Sequence, residues 1–194
     1  VCKCRYFLFI LRNHEKQEIM DIGRIAHEGV YIYRGELDFM ARTILDSPHM
    51  ETGGNLFGYW TPSGDAVIMY VLGPGRKSVA RFTSFIQDAD YLQLHADRLF
   101  EEYHLSHIGV WHSHHGLGLS HPSGGDVQSI QEGMLADGLS RCILAIGICD
   151  RAGASVNAFS FVCTGEGVKM NLVPWNVVQG DGSVRSRYDA AYRD

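Results

Sequence analysis

The stretch WHSHHGLGLSHPSGGD, from Trp111 to Asp126, sets two imidazoles two residues apart, His112 and His114, and a carboxylate, Asp126, one short loop further on. Two neutral imidazoles and one carboxylate are a donor set of catalytic zinc, which takes three protein ligands and keeps a fourth position for water. Such a site also needs a general base. Glu51 is the candidate, in the run METGGNLFGYW where a carboxylate precedes a glycine pair and an apolar stretch.

These residues need elements to position them. Ile108 to Trp111 is an apolar run suited to a buried strand that ends at the histidines. Side chains alternate along a strand, so His112 and His114 point to one side, about 6.5–7 Å apart along its axis, and can converge on one ion. Gly116 to Pro122 reads as a loop. Ser123 stands where an N-cap should stand, with Asp126 three residues on, so a helix should start there and stop near Gly138. Val127, Ile130, Met134 and Leu135 would form its apolar stripe. Glu51 would sit at the mouth of its own strand, and Gly53-Gly54 would let another backbone approach closely.

Taken together, Glu51 before Thr52-Gly53-Gly54, then His112-x-His114, then Ser123-x-x-Asp126 resemble the JAB/MPN/JAMM zinc metalloproteases. The resemblance spans about Ile25 to Val173. It implies Zn²⁺ held by His112, His114 and Asp126, Glu51 acting on water as general base and then as general acid, and Ser123 helping to hold the oxyanion. It further implies hydrolysis of the bond after the C-terminus of a ubiquitin-like protein, by deconjugation or precursor processing. WHSHHGLG followed by PSGGD, with Gly73-Pro74-Gly75 and the segment from Ser84-Phe85 to Tyr91-Leu92, resembles the bacterial branch found beside ubiquitin-like conjugation genes, including antiphage systems. Activating and conjugating enzymes of such a pathway would then be partners. The chain departs from the commoner pattern in one place, where His115 replaces a proline and the loop to Asp126 is one residue longer.

Other readings of the same residues are open. Ser123-x-x-Asp126 can serve as a capping box alone, and a carboxylate in a first helical turn is favoured by the helix dipole with no metal. His104, His107, His115 and His121 have no spacing that singles them out, and loop or surface positions are expected for them. His49-Met50-Glu51 spells the H-x-E of a zinc deaminase, but no P-C-x-x-C completes that site. A catalytically silent scaffold of the same fold is a further alternative, against which the full set Glu51, His112, His114, Ser123 and Asp126 counts. A zinc hydrolase of a small peptide or sulfur-carrier substrate is another.

A formal net charge of −5, with no Lys/Arg run, excludes a nucleic-acid surface as the leading reading; a peptide or protein substrate fits better. The five cysteines, at 2, 4, 142, 149 and 163, are an odd and scattered set that points to a reducing cytoplasm rather than a disulfide framework, with the last three as small core residues. The apolar core within residues 1–12 is too short to span a bilayer, so no membrane partner is expected. Residues 1–19 read as an N-terminal extension, Met20 as a candidate start, 20–180 as one metalloprotease domain and 181–194 as a polar tail that is either disordered, the default, or docked on the body.

Within that domain the periodicities predict a strand near Val30 to Ile32, and a helix from Glu36 to Ser47 with Leu37, Met40, Ala41, Ile44 and Leu45 on one stripe. A hairpin of 55–60 and 66–72 follows, then a helix over 88–103 with Leu92, Ala96, Leu99 and Tyr103 on one face. The histidine strand and its helix come next, and strands at 141–148, 156–162 and 168–173 close the series. Strands interspersed with helices argue an α/β or α+β fold, a mixed sheet covered by helices. The resemblance sharpens this to a curved mixed sheet of the layered JAB/MPN type, akin to cytidine deaminases.

Overall fold

Eight strands hydrogen-bond into one mixed sheet, and the sheet is built outward from the histidine strand. The computed structural model describes residues 29–115, 119–151 and 153–192; the N-terminal extension, Met20, Cys2, Cys4 and the loop residues 116–118 lie outside them. The elements are β1 (Val30–Tyr33), α1 (Arg34–Leu45), β2 (Gly53–Trp60), β3 (Ala66–Leu72), β4 (Val79–Arg81), β5 (Ser84–Ile86), α2 (Ala89–Tyr103), β6 (Ser106–His114), α3 (Gly124–Asp137), β7 (Arg141–Asp150), β8 (Gly153–Thr164), β9 (Gly167–Val173), β10 (Trp175–Val178) and α4 (Ser183–Ala191). The strand order is β10-β1-β3-β2-β6-β7-β8-β9, with β4 and β5 paired apart as a small hairpin. Strand β6 runs antiparallel to β2 and parallel to β7, and α3 makes the crossover between β6 and β7. The C-terminal end of β6 therefore meets the N-terminus of α3, the place where sheets of this kind gather ligands.

Alternation assigns the two faces of the sheet. Trp111, Ile143 and Ala145 pack with Leu56 and with Met40 and Ile44 of α1. Their sequence neighbours Val110, Leu144 and Ile146 pack with Ile130 and Met134 of α3. Phe57 and Leu72 meet Leu92, Ala96 and Leu99 of α2 and Val184 and Tyr188 of α4. One helix covers one face and three cover the other, which is the helix-flanked mixed sheet expected from the sequence.

Most expected elements stand within two or three residues of their predicted bounds, but two stripe assignments are corrected. Leu135 is 71% exposed and Leu45 is 46% exposed. At about 100° per residue each lies roughly 140° around its helix from the buried Ile130 or Met40, beyond the core-facing arc.

Of the two readings of the polar tail, docking on the body is the one the structure has. Residues 183–191 form α4, whose Val184 and Tyr188 are buried one turn apart. Arg185 Nε and Nη2 donate to Glu36 Oε1 and Oε2 at 2.7 and 2.6 Å, and Nη2 also donates to the Val71 carbonyl at 2.6 Å. The guanidinium stacks between Phe39 and Tyr70, 4.1 and 4.4 Å from the ring centres. Such a fork satisfies a buried carboxylate that could not stand there alone, so the tail is bound where its composition predicts freedom. The short strands β4, β5 and β10 had no sequence expectation.

Cys142 is buried and Cys149 and Cys163 are partly buried, all three as free thiols. No helix among the described residues is long and apolar enough to cross a membrane.

Candidate metal centre

His112 and His114 leave β6 on the same side, as strand alternation requires, and their Nε2 atoms stand 3.1 Å apart. Asp126 comes to them from the first turn of α3. Its Oδ1 is 3.4 Å from His112 Nε2 and its Oδ2 is 3.3 Å from His114 Nε2. All three side chains are buried. Zinc bonds of 2.0–2.1 Å set at tetrahedral angles place neighbouring donor atoms about 3.3 Å apart. The 3.1 Å between the two Nε2 atoms is close to one edge of that tetrahedron, each imidazole faces its own Asp126 oxygen at a similar distance, and the donor types fit the ion.

The local sequence explains why Asp126 reaches the site. The Ser123 hydroxyl accepts from the Asp126 N–H at 3.2 Å, and Asp126 Oδ2 accepts from the Ser123 N–H at 2.7 Å, the reciprocal pair of a capping box. Gly138 closes the helix in the left-handed conformation, as expected. The loop before the cap is tethered by Asn157 of β8, whose Nδ2 donates to the Ser120 carbonyl at 2.8 Å. His114 Nδ1 donates to the Leu119 carbonyl at 3.0 Å, which fixes the tautomer and turns Nε2 toward His112 and Asp126. Burial opposes charge on the Asp126 carboxyl, yet the bonds from His112 and His114 hold it far below the usual carboxylate range. Burial also works against the His114 imidazolium, and Asp126, the Leu119 carbonyl and the charge of Glu51 together outweigh it and raise its pKa.

Glu51 is 2% exposed and lies just before β2, where Gly53 pairs with His112. That register puts it beside the ligands, close enough for its charge to act on His114. The glycine pair does what the sequence reading asked of it. A Cβ on Gly53 would meet the Trp111 carbonyl at 2.5 Å, and one on Gly54 would meet the Leu72 carbonyl at 1.9 Å. The Glu51 N–H donates to the Arg81 carbonyl at 2.8 Å, so the β4–β5 hairpin braces the carboxylate's backbone, and Phe85 of that hairpin packs fully buried against Gly53.

The remaining histidines sort themselves by partner. His104 is the left-handed C-cap of α2 and His121 is exposed. His107 is partly buried and its Nε2 meets Asn55 Oδ1 at 2.9 Å. His49 is exposed and is no part of the cluster. His115 corrects the surface expectation: it is 3% exposed, with Nε2 2.7 Å from the Ser113 hydroxyl. Sequence reasoning also missed Ser113. The signal was present in the alternation that aligned the ligands, since Ser113 and His115 must then share the other side of the strand.

No protein-family model matches this chain. Over 79 residues it is 33% identical to Probable metalloprotease y4qB of Sinorhizobium fredii, a match that takes in 38% of this chain and 46% of that protein. The chain thus spans less than half the length of this curated relative. Among solved structures, Protein DSY2949 from Desulfitobacterium hafniense superposes with a TM-score of 0.55 at 15% identity, over 77% of this chain and 94% of that one. That likeness speaks to the fold. The local similarity to a metalloprotease and the buried His-His-Asp cluster agree on a metal-binding site.

Proposed function

We propose that this chain is a zinc-dependent peptidase of JAMM type that hydrolyses the peptide or isopeptide bond after the C-terminus of a ubiquitin-like protein. The observation that carries the reading is the spacing of 3.1, 3.4 and 3.3 Å among His112, His114 and Asp126, with Glu51 buried beside them. The similarity to a probable metalloprotease supports a peptide bond as the target. The sequence resemblance supports the bacterial conjugation or antiphage setting, with activating and conjugating enzymes as partners and a cytoplasmic location.

A bound zinc ion supplies Lewis acidity and brings the pKa of water down to about 7. Glu51 takes a proton from the attacking water as the new C–O bond forms and returns it to the leaving nitrogen as the C–N bond breaks. Its two lone-pair oxygens and its buried, backbone-braced position suit both transfers. The Ser123 hydroxyl, already fixed at the helix start, donates to the oxygen on which negative charge develops. The β4–β5 hairpin next to Glu51 offers strand edges along which an extended substrate tail can add. Val79, Phe82 and Ile86 of that hairpin are exposed apolar residues, and small residues such as Gly-Gly would crowd them least.

Elemental analysis of the full chain, paired with cleavage of a ubiquitin-like fusion by wild type and Glu51→Gln, tests this reading. One zinc per chain in both proteins, with cleavage lost only in the variant, is the expected result. Absence of zinc from purified and zinc-reconstituted protein alike would overturn the metal centre. Equal cleavage of tails bearing bulky residues in place of Gly-Gly would overturn the substrate class.

A further inference from the structure

The backbone that carries Glu51 is tied to the ligand strand through one side chain. Thr52 N–H donates to the Ser113 hydroxyl at 3.0 Å, and the Ser113 N–H donates to the Thr52 carbonyl at 2.8 Å. Both polar groups of the Thr52 backbone are thus held by the residue that lies between the two histidine ligands. The Ser113 hydroxyl is in turn 2.7 Å from His115 Nε2 and 3.3 Å from the Thr52 carbonyl.

A hydroxyl has one proton and two lone pairs. One lone pair is taken by the Thr52 N–H. If His115 Nε2 carries no proton, the hydroxyl donates to it; if it does, the ring donates to the second lone pair and the hydroxyl proton turns to the Thr52 carbonyl. In either tautomer the imidazole stops rotation of the Ser113 hydroxyl and keeps an acceptor facing Thr52. Ser113 and His115 are both buried, at 0% and 3% exposure, so water does not compete for these bonds. A catalytic carboxylate has to be held within about 0.5 Å of its productive place, and this tie reaches Glu51 from the face of β6 opposite the ligands.

We propose that His115 is a positioning residue that acts through Ser113 and Thr52 to set Glu51 against the metal ligands. This rests on the peptidase reading above for its consequence in turnover, but the tie itself is independent of it. It also gives a use to the residue at which the chain departs from the commoner proline.

The test compares wild type with His115→Ala, His115→Gln and Ser113→Ala by three readouts: amide exchange at Thr52 in metal-free protein, zinc content after reconstitution, and kcat and KM on a ubiquitin-like fusion. Glutamine places an amide where the imidazole Nε2 stood, so it is the conservative rescue. The expected result for His115→Ala and Ser113→Ala is Thr52 exchange about tenfold faster, the scale of one lost hydrogen bond. Zinc stoichiometry and KM should be unchanged, with kcat down about 10- to 100-fold as for other outer-shell changes. His115→Gln should return both exchange and kcat most of the way. Wild-type Thr52 exchange in His115→Ala and Ser113→Ala overturns the proposal, as does a kcat loss that merely follows lost zinc. A glutamine variant no better than alanine overturns it too. If wild type cleaves nothing, the peptidase reading fails while the exchange readout still decides the tie.

Discussion

Asp126 Oδ2 accepts the Ser123 backbone N–H at 2.7 Å and stands 3.3 Å from His114 Nε2, so one carboxylate both closes the cap of α3 and completes the His-His-Asp cluster. The two roles reinforce each other. A helix N-terminus favours negative charge, and the capping bond fixes the carboxylate's orientation before any ion binds. The capping box and the candidate metal-binding cluster, roles that do not exclude each other, share this one group.

Ser123 can be assigned by separating stability from rate. Serine to alanine at an N-cap costs about 1 kcal/mol, whereas glycine costs only a few tenths. Neither carries a hydroxyl, and loss of one oxyanion donor costs about 10²- to 10³-fold in kcat. Ser123→Gly should therefore melt close to wild type yet turn over as slowly as Ser123→Ala. A glycine variant with wild-type kcat would reduce Ser123 to a cap.

Gly54 and Gly58 share the tightest approach of β2 to its neighbours, and Gly54 is the one nearer the candidate site. A Cβ on Gly54 would lie 1.9 Å from the Leu72 carbonyl and 2.8 Å from Trp111 Nε1, the indole that donates to that same carbonyl at 3.0 Å. Gly54→Ala should cost at least about 3 kcal/mol in urea denaturation and weaken metal retention, because the strand that carries His112 must shift. Gly124, at the first turn of α3, has nothing within 4 Å of its Cβ position. Gly124→Ala should be neutral or gain about 0.4–1 kcal/mol, and a similar loss in both variants would show that crowding is not the cause.

Arg185 is the group that turns a polar tail into part of the body. Arg185→Met leaves the Glu36 carboxylate buried without its fork and should cost about 3–5 kcal/mol. Removing both charges should not restore stability, since Glu36 Oε2 also accepts the Val71 N–H at 2.7 Å and Arg185 also holds the Val71 carbonyl. Chemical denaturation of the two single variants and the double variant measures this. A double variant as stable as wild type would mean that β3 finds other partners.

What was legible in the sequence is what neighbouring residues decide together. His112-x-His114, the Ser123-to-Asp126 box and the Gly138 stop all act within a few residues, so spacing alone places them. What was not legible depends on distant partners. Glu36 and Arg185 meet across 149 positions, and the polar residues between Val184 and Tyr188 mask a helix whose apolar stripe is only a few side chains wide. The strands β4 and β5, three residues each, are too short to show a period, yet one of them braces Glu51. His115 looked like a loop residue because it stands one position past the end of β6, so the alternation that sets it beside Ser113 had to be carried beyond the strand.

His107 provides a pH dependence that can be separated from the His-His-Asp cluster. Burial lowers its imidazole pKa from the usual 6.5 to about 4. The unfolded chain therefore takes up this proton first, and stability present above about pH 6.5 drains away as pH falls toward 4, by up to about 3 kcal/mol. His107→Gln keeps a donor toward Asn55 and removes the titration. Urea denaturation of metal-free wild type and variant at pH 7.5, 6, 5 and 4 isolates the effect, since losses from His112, His114 and Asp126 are common to both. Wild type should lose about 3 kcal/mol more than the variant over this range, with most of the divergence between pH 6 and 4. Parallel profiles would mean that the His107 ring takes its proton in the folded state as readily as in the unfolded one, and the acid sensitivity of the fold would then belong to the metal cluster.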